Sequence, residues 1–145
     1  MVIQFILLAL TAAAGVVGSG AWTRELRYAT TIAGALLGAA GLLLAVRGGA
    51  DLRSALTPFP KPVENAPLVD RGAYGIVRHP IYTGIIAGAL GWGLLMASPA
   101  ALAGALALFV LFDLKSRREE AWLVERHAGY ADYRRRTRKL IPGVY

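Results

Sequence analysis

The chain contains no cysteine. That excludes disulfide staples, thiolate zinc sites and a cysteine nucleophile, and says nothing about compartment. Histidine is nearly as scarce: His79 and His127 are the two present. Neither sits in a cluster with metal-ligand spacing, so no metal is expected. Acidic residues are few, nine Asp and Glu against sixteen Lys and Arg. Residues 1–22, 28–46 and 80–112 carry no charged side chain at all. Also missing is a strand-like run leading into G-x-G-x-x-G, which excludes a Rossmann nucleotide fold. Gly18-Ser19-Gly20 lies in or just after an apolar run and is a weak signal. No Ser/His/Asp arrangement is legible.

What is present is apolar. The sequence is 56% hydrophobic and 17% charged, with mean hydropathy +0.49, against about 45–50% apolar for a soluble domain. Each of the first two charge-free stretches is long enough for one helix across a ~30 Å hydrocarbon core. The first lacks a basic start and reads as a retained helix, although "TAAAG" resembles a signal-cleavage site. The third, as one helix, would measure about 50 Å. Ser98-Pro99 divides it, because proline breaks a helix or opens a new one. It therefore reads as a tight hairpin, 80–97/100–112, whose second arm continues through 113–126 beyond the lipid. The expected fold is all-α: a polytopic membrane protein of about four transmembrane helices with a cytoplasmic C-terminal helix. Residues 1–48 would form an N-terminal helix pair and 49–145 a core.

The formal charge of +7 invites a nucleic-acid reading, but its location argues against one. Nine of the sixteen Lys and Arg fall at 115–139 and five at 47–78, leaving Arg24 and Arg27. Basic residues flanking apolar spans are a topology signal and favour anionic membrane lipids. No nucleic-acid partner is expected. With both termini cytoplasmic, fourteen of the sixteen lie inside. Small residues at four-residue spacing, Gly34/Gly38, Gly84/Gly88 and Ala87/Gly91, suit close helix packing in lipid. The 51–70 connection, with Pro58, Pro60, Pro62 and Pro67, should be extended and non-helical.

Two segments carry chemistry. In "RGAYGIVRHPIYTG" (71–84) Pro80 fits the first helical turn and His79 the N-cap, with Arg78 just outside. Such a mouth, with an added arginine, can hold a carboxylate or phosphate. Tyr74 and Tyr82 offer stacking faces and hydroxyls. The blander reading is interfacial anchoring by Arg and Tyr, and spacing alone does not separate the two. In the second segment Leu108, Phe112, Lys115, Glu119 and Trp122 share one helix face. Glu119 and Glu120 point to different faces, and solvated pairing with Arg117, Arg118 and Arg126 would account for them.

Together, "LVDRGAYGIVRHPIYTG", "EEAWL" and "GYADYRRRTRKLIP" resemble the isoprenylcysteine carboxyl methyltransferase family. The related phospholipid N-methyltransferases share R-H-P-x-Y-x-G and E-E. The resemblance spans about residues 50–145 and implies an integral membrane enzyme using S-adenosylmethionine, bound without a Rossmann fold. It implies cofactor contacts at Leu68, Val69, Tyr74, His79, Tyr82 and Glu119. A cationic helix mouth suits the carboxylate of such a cofactor, and carboxylates with aromatic faces suit its cations.

Two departures bear on the substrate. The family's Gly-Pro-Tyr reads Gly72-Ala73-Tyr74 here, and Lys115 stands where carboxyl methyltransferases carry an arginine. Lysine keeps the charge without the bidentate fork. Lys115 and Arg117 are the candidates for orienting an anionic acceptor, and no general base is legible. The expected activity is methyl transfer from S-adenosylmethionine to a lipophilic or membrane-delivered acceptor, entering sideways along the Leu108–Phe112–Lys115 stripe. Alternatives are a phospholipid N-methyltransferase, a non-catalytic scaffold retaining the motif, and a small four-helix exporter.

Overall fold

The computed structural model describes residues 2–20, 22–52 and 68–145. Pro58, Pro60, Pro62 and Pro67, on which the expected extended connection rests, lie outside the described residues. Among those described, all regular structure is helical: α1 (Val2–Val17), α2 (Arg24–Leu52), α3 (Ala73–Ile76), α4 (Pro80–Leu95), α5 (Pro99–Arg126) and α6 (Tyr130–Arg136). An isolated parallel bridge joins Val77 to Arg138.

Boundaries depart from the charge-free runs in a consistent direction. α2 takes in Arg24, Glu25 and Arg27 and continues to Leu52. Glu25 in its first turn suits the positive end of the helix dipole, and Arg47–Asp51 form an i,i+4 pair at 3.4 Å. α1 and α4 are shorter than expected, sixteen residues each, or about 24 Å. Thus α2 and α5 are long and apolar enough to cross a membrane, while α1 and α4 are apolar but shorter. Burial within the protein covers 11% of the apolar window of α2 and 33% of that of α5. Ile32, Leu36, Leu42, Leu43 and Val46 on α2 stay more than 60% exposed. A row of bare aliphatic side chains on this scale marks a face built for an apolar surrounding.

The chain divides into two compact units, Met1–Leu43 with Gly84–Leu111, and Leu44–Thr83 with Phe112–Tyr145. In the first, glycines set the packing. A Cβ on Gly34 would lie 2.7 Å from the Gly91 carbonyl oxygen, and one on Gly41 would lie 2.7 Å from that of Gly84. The pairing order makes these stretches of α2 and α4 antiparallel. The expected pairs at four-residue spacing take part: a Cβ on Gly91 would also lie 2.7 Å from the Gly38 nitrogen, and one on Gly41 would lie 2.9 Å from the Ala87 Cβ and the Gly88 nitrogen. Gly38 and Gly88 have open space at their own Cβ positions. α1 is held by Ser98 Oγ donating to the Ala14 carbonyl (2.8 Å) and Trp92 Nε1 donating to that of Ala12 (3.2 Å). Ala97, fully buried, turns the chain between α4 and α5 with φ 51°.

In the second unit, backbone pairing pins two irregular stretches together. Arg78 N–H donates to the Arg138 carbonyl (2.8 Å) and His79 N–H to that of Lys139 (3.2 Å). Thr83 Oγ1 adds a bond to the Leu140 carbonyl (2.7 Å). The Lys139 ammonium reaches Asp113 at 2.6 Å, both side chains nearly buried, and Tyr145 Oη donates to the same carboxylate at 2.8 Å. On α5, Phe112 of this unit and Leu108 of the first are both buried. The expected lipid-facing stripe therefore faces protein at those two positions.

Candidate functional site

Pro80 opens α4 and His79 caps it. The Thr83 N–H donates to the His79 carbonyl at 3.0 Å, leaving proline where its missing N–H is harmless. Ahead of it, the short α3 is anchored by Asp51, whose carboxylate accepts from the Ala73 N–H at 2.7 Å. Gly72 makes this possible: its φ is 64°, and any Cβ there would strike the Asp51 carboxylate. Tyr133 Oη donates to the Tyr74 carbonyl at 2.8 Å, fixing the other end of the turn.

At the helix mouth the two motifs meet. Tyr82 Oη donates to Glu119 Oε1 at 2.5 Å, and His79 Nδ1 lies 3.5 Å from Glu119 Oε2. The other imidazole nitrogen, Nε2, is 3.1 Å from Glu120 Oε1. His79, Tyr82 and Phe112 form a stack, with centroids 5.6 and 4.6 Å apart and planes within 5° and 18°. Lys115 Nζ stands 5.0 Å above the Tyr82 ring, a cation–π distance. Burial, reinforced by the charges of Glu119 and Asp51, pushes the Tyr74 phenol up to about 12. Burial likewise raises that of Tyr133. Both hydroxyls are therefore neutral donors at ordinary pH.

Of the residues expected at the site, His79, Tyr82, Glu119 and Lys115 converge, and Tyr74 lies near enough for its phenol to feel the Glu119 charge. Leu68 and Val69 are half-buried in the irregular stretch before α3. Arg117 points elsewhere: its Nε donates to Asp113 at 2.8 Å. Arg78 departs from its expected role at the helix mouth. It folds back on Glu120, Nε to Oε1 at 2.8 Å, and onto the Arg134 (3.2 Å) and Thr137 carbonyls. Its charge is thus committed internally. Glu120, expected as half of a solvated pair, is instead buried between Arg78 and His79. Asp51, which sets the α3 turn, was not singled out by its sequence context. It opens the 51–70 connection expected to be extended, whereas α2 carries it in its last turn.

Carboxylate, imidazole, phenol and stacked rings around a helix mouth can hold a group that is cationic in one part and aromatic in another. Among the described residues, no group of three His, Asp or Glu could hold a metal ion. Helices with bare aliphatic faces, no strand among the described residues and this cluster define an all-helical protein of membrane type. The chain belongs to the phospholipid methyltransferase family, which matches residues 29–129. It is also similar to the cobalt-zinc-cadmium resistance protein CzcN of Cupriavidus metallidurans, 35% identical over 80 residues. That match covers 54% of this chain and 37% of the relative, so the chain spans little more than a third of that protein's length. No solved structure is a significant match.

Proposed function

We propose that the protein is a multi-pass integral membrane enzyme that transfers a methyl group from S-adenosylmethionine to a lipophilic acceptor. In this reading α1, α2 and an α4/α5 hairpin make four spans. Residues 1–48 form the N-terminal pair and 49–145 the cofactor-binding core. One observation carries it: two motifs separated by 37 residues, at Tyr82 and Glu119, meet in a hydrogen bond inside a chain of the phospholipid methyltransferase family.

The donor set suits the cofactor. Glu119 offers a carboxylate for an ammonium or for ribose hydroxyls, and the His79–Tyr82–Phe112 stack offers π-faces for a sulfonium or an adenine. Leu68, Val69 and Tyr74 would wrap the same ligand from the loop before α4. When bound, the cofactor supplies a methyl group already activated on sulfur. The chain's part is then placement: holding the acceptor in line, excluding water and orienting its charge. Lys115, above the Tyr82 ring, is the residue best placed to orient an anionic acceptor. Arg117, tied to Asp113, is less suited to that role. The family match and the lysine at 115 together favour a phospholipid-like acceptor over a prenylcysteine carboxylate.

The detergent-purified protein should bind S-adenosylhomocysteine in a calorimetric titration. Glu119→Ala or His79→Ala should weaken binding at least tenfold, about 1.4 kcal/mol. Equal affinity of wild type and variants would remove the pocket assignment. A transfer screen with methyl-labelled cofactor over extracted lipids, amines and small thiols then identifies the acceptor.

A further inference from the structure

A second concavity lies on another face of α5. Arg117, Ala121 and Val124 follow at i, i+4 and i+7 and so share one side of the helix. With α6 and the segment 137–145 they enclose a cleft of about 760 Å³, within the size range of small-ligand sites. It draws cations from three elements: Arg117 on α5, Arg134 on α6 and Arg138 beyond it. All three are exposed, with 64% and 60% of the Arg117 and Arg134 side chains accessible.

The carboxylates lining the cleft do not balance these arginines. Glu120 is buried and matched by Arg78 at 2.8 Å and His79 at 3.1 Å. Arg134 reaches it only at 3.8 Å. Lys139, also lining the cleft, is neutralised by Asp113. Arg117 spends its Nε on Asp113 at 2.8 Å, so Arg134 and Arg138 are the guanidinium groups left facing one exposed acid, Glu125. Ala121, Val124 and Val144 give the same cleft an apolar patch.

We infer that this cleft binds a phosphate group carried on an apolar or glycerol moiety. Guanidinium forks match phosphate oxygens bidentately, and those of Arg134 and Arg138 can together hold one tetrahedral anion. The apolar patch beside them suits the carbon skeleton of a phosphodiester. The chemistry recognised is the phosphate; its source is a lipid headgroup or a soluble phosphate ester. The site uses none of the His79–Tyr82–Glu119–Lys115 cluster. It therefore binds whether or not the chain transfers methyl groups.

The test uses the full chain in a neutral detergent, with native mass spectrometry and thermal unfolding as readouts. The probes are phosphatidylglycerol, glycerol 3-phosphate, inorganic phosphate and, as an uncharged control, diacylglycerol. Phosphate-bearing probes should bind and raise the melting temperature, and diacylglycerol should not. Arg134→Gln/Arg138→Gln should weaken that binding at least about tenfold, the expected loss of two charge-assisted contacts. Arg24→Gln, in the first turn of α2 and outside the cleft lining, should leave it unchanged, and so should Glu119→Ala. Arg138→Gln alone serves if the double variant loses its helical signal. Preference for the diacyl lipid assigns the headgroup as source, and equal binding of glycerol 3-phosphate assigns the soluble ester. Failure of every phosphate probe to bind below about 1 mM would overturn the inference. So would equal binding by wild type and by Arg138→Gln.

Discussion

The Arg78–Glu120 pair has both side chains less than a tenth exposed, so each charge depends on the other. Breaking a buried pair from one side costs about 3–5 kcal/mol, because the survivor is left charged and desolvated. Glu120→Met should therefore lower the melting temperature sharply. Arg78→Met/Glu120→Met should recover much of the loss, and thermal unfolding of the two singles and the double closes the cycle. Strict additivity of the two changes would contradict the pairing. Tyr74 gives a pH-dependent counterpart. Its folded phenol titrates near 12 and an unfolded one near 10, so between those values the folded state holds a proton that the unfolded state has released. Stability from this group is complete below about pH 10 and is lost as pH rises toward 12. Tyr74→Phe should make the alkaline decline of melting temperature shallower, and an unchanged slope would count against the burial of that hydroxyl. At this scale the sequence was partly legible. His79, Tyr82 and Glu119 stand at positions of recurring motifs, so resemblance marked them, and the structure brings them within bonding distance. The partner of Glu120 was not legible, because Arg117, Arg118 and Arg126 offer nearer candidates in sequence. Arg78, 42 residues away, becomes the partner only once residues 77–79 are pinned to 138–140.

Helix type was readable from the charge-free runs and helix length was not. A charge run marks where lipid-compatible sequence ends, but the backbone ladder continues while i,i+4 pairs such as Arg47–Asp51 support it. α2 therefore outlasts its apolar core, and α5 runs on to Arg126. The close approach of α2 and α4 was legible as a tendency toward small residues. The particular glycines were not, since Gly and Ala are too abundant for sequence to rank them. The structure ranks them: a Cβ at Gly91 would sit 2.6 Å from the Gly34 carbonyl oxygen and 2.7 Å from the Gly38 nitrogen. Neither is a flexible side-chain end that could yield. Gly91→Val should force the helices apart and lower the melting temperature, by about 1–3 kcal/mol equivalent for overpacking. Gly88→Ala, with open space at its Cβ, should be neutral or slightly stabilising through helix propensity. Comparable losses at 88 and 91 would show that the Gly34–Gly91 contact does not set the packing.

At the scale of the whole chain, the proposed four-span topology makes one demand that can be met or refused outright. The basic residues cluster at 47–78 and 115–139. The antiparallel pairing of Gly34 with Gly91 and Gly41 with Gly84 gives the C-terminal end of α2 and the N-terminal end of α4 the same side. The turn through Ala97 returns α5 toward that side. In that proposed topology, positive-inside bias would make the side cytoplasmic. Residues 18–23, between α1 and α2, must lie across the membrane from it. The sixteen-residue helices α1 and α4 fall several Å short of an average bilayer, a mismatch that local thinning accommodates at modest cost. Because the chain has no cysteine, a single introduced thiol reports its own side without background. Thr23→Cys, Arg71→Cys and Val144→Cys all fall at exposed positions. In intact spheroplasts an impermeant maleimide should label Thr23→Cys, and should label the other two only after the membrane is opened. Labelling of residue 23 only after permeabilisation would place both ends of α2 on one side. α2 would then not cross, and a lipid-embedded four-helix enzyme would give way to a protein held at the bilayer surface.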